Sequence, residues 1–415
     1  MPHSKYLIVG SSHAALEAIG AIRMIDPDGA LTVVTRDGRL PYSPTILPYV
    51  VSGRSDPERI LLRDEAYFRD NGVAYARGET LTAIDAAARV ARFASGAAWS
   101  YDKLLLATGA APAIPPVKGL SEVRYHVLRT MDDAVGLRDA IGKARSAVVL
   151  GAGLVGMHAA ENMAKAGCAV TVVEMQTQVL PGYFEPAAAA MIEGAFAAKG
   201  VTMLMGRSVV AAETRGAGRA VILDDGRAIE ADLLLVSTGV KPEMDYLTGG
   251  GVDTDRGILV DDRMRTSAAG IWAAGDVAQA RGFHDGRKVV AGILPNAVEQ
   301  GRIAGMDMAE DSAVKPYPGS VPLNTYTFFG QQAISVGLSA AGEGAEVVES
   351  AEDGRYQRMV FRDGRLQGIS AINAFVDAGV MWQLILRGVD LAPVKDEFVA
   401  RPMETGRVLM SRIWR

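Results

Sequence analysis

Residues 146–160 read SAVVLGAGLVGMHAA. An apolar run reaches three glycines, at 151, 153 and 156, and continues into small residues that suit the start of a helix. Each glycine answers a steric demand: a tight turn, close approach of a pyrophosphate to the backbone, and close packing of helix on strand. The helix that follows aims its unpaired N–H groups and positive dipole end at the phosphates. Such a pattern by itself is a weak signal. Here a strand precedes it, a helix reaching Ala166 follows it, and a second strand, AVTVVE, ends in an acid. Glu174 lies 21 residues past Gly153, where a carboxylate can accept from both ribose hydroxyls and would repel a 2′-phosphate. The pattern favours NAD over NADP.

Working outward, residues 6–18, YLIVGSSHAALEA, repeat the plan with Gly10, Ser12 and Ala15 in place of three glycines. Serine and alanine are the smallest replacements, so a phosphate can still approach the backbone, and the Ser12 hydroxyl adds a donor. A helix through Ile25 and the strand LTVVT from Leu31 follow, but Thr35 and Arg36 stand where an acid is expected. Two further stretches match each other, YDKLLLATGAAP (101–112) and ADLLLVSTGVKP (231–242), each a buried strand ending in Thr-Gly: Thr108-Gly109 and Thr238-Gly239. The chain therefore reads as internally duplicated, with two nucleotide-binding units. GIWAAGDVAQ (270–279) has no counterpart in the middle segment, so the first unit is interrupted by the second and resumes near Pro242. Asp276, at the end of that strand, is placed to hold a ribityl hydroxyl of a flavin. GILPNAVEQGRIAG (292–305) puts a helix N-terminus at Asn296 and Ala297, whose dipole would stabilise an anionic reduced flavin.

From about Pro316 the pattern changes to alternating strands, with Asp363-Gly364 as a hairpin turn, and an amphipathic tail carries Arg401, Arg407, Arg412 and Arg415. The expected fold class is α/β: two Rossmann-like nucleotide-binding domains, one inserted in the other, plus a C-terminal α+β interface domain. The expected boundaries are 1–113 with 243–315, 114–242, and 316–415.

Composition narrows the function. With 49% hydrophobic and 22% charged residues the chain is an ordinary globular protein, and a net charge of −5 gives no basic footprint for nucleic acid. No stretch has the order of a signal peptide or approaches a membrane span, so a cytoplasmic location is expected. Cys168 is the single cysteine, which excludes an intramolecular disulfide, a Cys-x-x-Cys pair and a cysteine-only zinc site. Five scattered histidines make a metal centre unexpected.

The order of these motifs, together with LRTMDDA (128–134), resembles the pyridine nucleotide-disulfide oxidoreductase superfamily over essentially the whole chain. Within it, LPYSPTILPYVVSG (40–53) and GRLQGISAINAFVDAG (364–379) resemble the thiol-free branch, the rubredoxin reductases and the flavoprotein part of NADH-dependent nitrite reductases. His13 matches a histidine in the first turn of the NADH oxidases and peroxidases.

The resemblance implies FAD in the interrupted domain, NAD(H) in the inserted one, and direct hydride exchange between them without a side-chain nucleophile. It places FAD contacts at Gly10, Ser12, His13, Ala14, Ala15, Thr35, Arg36, Pro44, Thr108, Gly109, Arg129, Asp276, Asn296 and Ala297. It places NAD contacts at Gly151, Gly153, Leu154, Val155, Gly156, Glu174, Thr238 and Gly239. Relatives pair a cation near position 44 with a glutamate on the second fingerprint helix. Here Pro44 stands in the cation's place while Glu161 remains, either as a catalytic residue without its partner or as a helix-surface residue. With a single cysteine, too few to hold an iron–sulfur cluster of its own, the chain is expected to hand single electrons to an iron–sulfur (ferredoxin-like) protein or to subunits of a larger oxidoreductase complex. A stand-alone reductase, a thiol-free NADH oxidase and a nucleotide-binding interaction module with little turnover are the rival readings.

Overall fold

A computed structural model describes residues 1–216 and 218–413; the tail arginine at 415 lies outside the described residues. The chain divides into two compact units, one of residues 1–46, 56–111 and 240–320, the other of residues 47–55, 112–239 and 321–415.

The first unit is built on a sheet whose parallel core runs Val73–Arg77, Leu31–Thr35, His3–Val9, Ala98–Leu106, Ile271–Ala273. Strands covered on both faces must be apolar throughout, and LTVVT is buried at all five positions. The strand order reverses between His3–Val9 and Ala98–Leu106, and such a reversal opens a crevice at the strands' carboxyl ends. Gly10 sits at that point. Val90–Phe93 and Leu81–Asp85 extend the sheet antiparallel. The helices His13–Ile25 and Leu294–Met308 pack through small residues. A Cβ on Gly301 would lie 2.2 Å from the Ala14 carbonyl oxygen, and one on Gly305 2.6 Å from that of Ala18.

The second unit contains a parallel sheet in the order Thr202–Met205, Ala169–Glu174, Ser146–Leu150, Leu233–Val236. Its order also reverses beside the glycine-rich turn, between Ser146–Leu150 and Leu233–Val236. A three-stranded antiparallel sheet (Val209–Arg215, Gly218–Leu223, Ala228–Ala231) accompanies it. The same unit holds the C-terminal antiparallel sheet, ordered Leu323–Phe328, Gln331–Gly337, Arg365–Ile372, Arg355–Arg362, Glu346–Glu352. The Asp363-Gly364 turn has positive φ at both residues, +50° and +72°, as a tight hairpin of this kind requires. Helices Ala378–Leu386, Lys395–Ala400 and Pro402–Ile413 close the chain.

The architecture matches the α/β class with two Rossmann-like domains read from the sequence. Among the described residues, no helix is long and apolar enough to cross a membrane.

Candidate functional site

In the second unit, Gly151 has φ +98°, and a Cβ there would sit 2.5 Å from the Ser237 carbonyl oxygen. Only glycine fits both conditions. Gly156 is excluded from change by packing: its Cβ would lie 2.0 Å from the Gly151 oxygen and 2.7 Å from Ser237 Oγ. Gly153 has open space around its Cβ position and caps the helix Leu154–Lys165 without a side-chain bond. The first-turn N–H groups are thus free of a competing side-chain cap, and the cradle that a Cβ at 153 would fill fits a pyrophosphate. Val155, on that first turn, is 39% exposed despite being apolar. Thr238 donates its hydroxyl to the Ala113 carbonyl at 2.7 Å, and Gly239 has φ +108°.

Glu174 is where the sequence placed it, ending Ala169–Glu174, and it is 9% exposed. Its carboxylate accepts the Ala152 N–H at 2.8 Å and the Gln176 N–H at 2.9 Å. The acid therefore braces the glycine-rich turn, and each oxygen keeps a lone pair for a ribose hydroxyl.

In the first unit, Gly10 has φ +114°, and its Cβ would meet the Ala107 carbonyl oxygen at 2.1 Å. Ser12 caps the helix His13–Ile25 in extended conformation and makes no side-chain cap bond, so these amides too can face a phosphate. Ala14 and Ala15 are buried. His13 Nε2 lies 2.8 Å from Ser43 Oγ. Burial pushes the imidazole below its usual range against the pull of Glu17 and Asp276, so it is neutral at pH 7. Asp276 lies on the short turn Gly275–Val277. Gly292 makes room for it, since a Cβ there would be 3.3 Å from the Asp276 carboxyl carbon, and Gln300 holds the Gly275 N–H at 2.9 Å.

Thr35 is buried at the end of its strand and accepts from Ser11 Oγ at 3.3 Å. Arg36 is paired with Glu243, so an acid from the returning segment stands beside the position where one was expected in sequence. Thr108 shares hydrogen bonds with the Tyr246 hydroxyl (2.8 Å) and the Glu243 carbonyl (3.2 Å). Gly109 has φ +75°, and Pro44 opens a short turn at Pro44–Ile46. Asn296 is buried, donating to Ser320 Oγ at 2.6 Å; Ala297 follows it in the first turn of Leu294–Met308.

Arg129 belongs to the second unit, where its N–H donates to Asp133 Oδ2 at 3.1 Å. Glu161 is not a surface residue. It is 5% exposed, paired with Lys165 at 2.5 Å, and accepts the Phe329 N–H at 2.6 Å. Its charge is balanced by Lys165, one helical turn along, at a spacing of four that a reading of helix faces could have found. Ser43, Gln300 and Glu243 carried no signal, because their roles depend on contacts distant in sequence. Cys168 is buried, with its thiol pushed upward by burial. In the tail, Arg407 pairs with Asp377 at 2.8 Å and Arg401 with Glu404 at 3.7 Å.

Two glycine-rich turns at two strand-order reversals define a protein built to bind two dinucleotides. The sequence profile of the pyridine nucleotide-disulphide oxidoreductases matches residues 4–301, and the chain belongs to that family, whose members are FAD- and NAD(H)-dependent oxidoreductases. The chain is 59% identical to the NADH-dependent phenylglyoxylate dehydrogenase subunit epsilon of Aromatoleum evansii, over 100% of this chain and 99% of that one. It is 31% identical to the rubredoxin-NAD(+) reductase of Pseudomonas putida, over 75% of this chain and 82% of the reductase. Its fold superposes on putidaredoxin reductase, solved in covalent complex with putidaredoxin, with a TM-score of 0.85 at 25% identity, covering 94% of each chain.

Proposed function

We propose that this chain is the electron-transfer subunit of a 2-oxoacid dehydrogenase complex, of the phenylglyoxylate type, exchanging hydride with NAD(H) and single electrons with an iron–sulfur partner. The observation that carries the reading is the 59% identity over the full chain to a subunit of such a dehydrogenase. The cysteine inventory supports it, since Cys168 is the single cysteine and is buried, leaving no thiol relay. Bound FAD supplies the bridge between two-electron and one-electron chemistry.

In this reading, residues 1–113 with 243–315 bind FAD, residues 114–242 bind NAD(H), and residues 316–415 form the interface domain. Gly10, Ser12 and Ala15 present backbone N–H groups to the FAD pyrophosphate, and Asp276 accepts from the ribityl chain. Gly151, Gly153 and Gly156 do the same for NAD(H), with Glu174 accepting from the ribose and repelling a 2′-phosphate. Glu161, kept in place by Lys165 and the Phe329 N–H, is a buried acid on the helix that follows this turn.

Anaerobic mixing of the FAD-loaded protein with NADH tests the core of the reading. NADH bleaches the flavin rapidly and NADPH poorly, and Glu174→Gln raises the NADH KM by about 10-fold while narrowing that preference. Equal bleaching by both nucleotides would remove the argument from Glu174. Binding of NADH without bleaching would leave only a nucleotide-binding module. Native purification decides the assembly: co-purifying iron–sulfur subunits with phenylglyoxylate-dependent NAD reduction support it. A chain that purifies alone and rapidly reduces rubredoxin or ferredoxin is a free-standing reductase.

A further inference from the structure

The segment between Glu174 and the helix Pro186–Ala197 is gripped at both ends. At its start Gln176 donates its N–H to the Glu174 carboxylate at 2.9 Å, and midway Leu180 donates its N–H to the Ala152 carbonyl at 2.9 Å, inside the glycine-rich turn. Leu180 is fully buried and has φ +49°, a left-handed conformation that a leucine keeps only when its surroundings enforce it. At the other end, the C-terminal antiparallel sheet takes hold. Ser335 donates its hydroxyl to the Tyr183 carbonyl at 2.5 Å, and Ser370 donates to Glu185 Oε2 at 2.6 Å. Both serines are buried, and the buried hydroxyl of Tyr356 lies beside the same carboxylate. Polar groups removed from water are costly to leave unpaired, so these bonds fix geometry strongly. Four residues separate the Leu180 anchor from Glu185, too short a run to absorb a shift at one end without passing it to the other.

We propose that the C-terminal sheet is a positioning element of the NAD(H) site. Ser335 and Ser370 fix residues 180–185, and Leu180 in turn fixes Ala152 and the pyrophosphate turn. The inference rests on reading residues 151–156 as the NAD(H) site. A perturbation of the sheet thereby changes nucleotide affinity.

The test is titration calorimetry of the full-length, FAD-loaded protein with NAD, which binds the oxidised enzyme without reacting. Ser335→Ala combined with Ser370→Ala raises the NAD Kd about 3- to 10-fold. Flavin content and the flavin reduction rate at saturating NADH stay within about twofold, because the serines hold residues 183 and 185 and touch no reacting atom. Ser370→Thr, which keeps the hydroxyl, retains the native Kd. Should the double variant not fold, Ser335→Ala alone carries the same expectation with a smaller rise. An unchanged Kd with a lowered melting temperature would overturn the proposal and leave the serines as purely structural. Gly153→Val is the control for the underlying reading: its side chain enters open space without a backbone clash and abolishes NAD binding. If Gly153→Val binds NAD normally, the assignment of the turn fails, independently of the serines.

Discussion

The two glycine-rich turns follow the same strand-turn-helix plan yet place their tight packing in different partners. In the second, the third glycine is indispensable: at Gly156 a methyl group would lie 2.0 Å from the Gly151 carbonyl oxygen. In the first, the matching position is Ala15, fully buried and accommodated. The close approach is instead made along the neighbouring stripe of the helix, where Gly301 and Gly305 admit the backbone at Ala14 and Ala18. A departure from the glycine pattern therefore marks a redistribution of packing between helices.

The largest effect comes from exchanging those demands. Gly156→Ala overpacks the second turn against the Gly151 carbonyl oxygen and Ser237 Oγ and costs about 3 kcal/mol, with loss of NAD binding measured by calorimetry. Gly301→Ala disrupts the first unit similarly and lowers flavin content. Ala15→Gly, by contrast, removes one buried methyl at a helix start and costs about 1 kcal/mol in denaturant unfolding. Comparable losses in all three would break the distinction between the turns.

The helices that follow the turns differ as well. The first buries alanine, leucine and isoleucine, whereas the second buries Glu161 against Lys165. Lys165→Met strands a buried carboxylate, but the lysine side chain is 53% exposed. Solvent already screens the pair, and the expected loss is about 1 kcal/mol. Thermal unfolding of Lys165→Met alongside Glu161→Gln with Lys165→Met checks this, since the double variant should recover part of the loss.

The smallest effect is a pH dependence that both turns share. His13 and His158 are each pushed below the ordinary value of 6.5, chiefly by burial. The folded chain holds them neutral while the unfolded chain takes up protons, so stability is full above pH 6.5 and declines as pH falls below it. Asp26, held at about 2 by hydrogen bonds from Lys5 and Tyr6, contributes stability that is lost only below its unfolded value of 3.8. It does not act in the same window. His158→Phe keeps the ring that meets Tyr326 edge-on at 4.6 Å and should shrink the drop in melting temperature between pH 7.5 and 5.5. An unchanged drop would leave the acid sensitivity to other groups.

Much of the site was legible because its demands are local. Strands Leu31–Thr35 and Ala169–Glu174 and the helix ending at Ile25 fall where hydrophobic runs and small residues placed them. The Glu174 position followed from spacing alone. The pairing of Arg36 with Glu243 and the Ser335 and Ser370 grip on residues 183–185 were not legible, because each joins segments more than 150 residues apart. The attachment of residues 47–55 to the second unit is of the same kind: the segment LPYVV is apolar enough to bury, but nothing in its composition says against what.

The amino-acid sequence by itself determined two βαβ turns, their order, the acid that follows one of them, and the absence of a thiol relay. Periodicity and glycine sterics act over a few residues and need no partner to be read. Only the tertiary structure decided which backbone each glycine must admit, that Lys165 and a distant N–H balance Glu161, and that Ser335 and Ser370 bond residues 183 and 185 while Leu180 bonds the Ala152 carbonyl. Those outcomes depend on close packing between elements far apart in the chain, where complementarity of shape and hydrogen-bonding groups is settled only once the chain has folded.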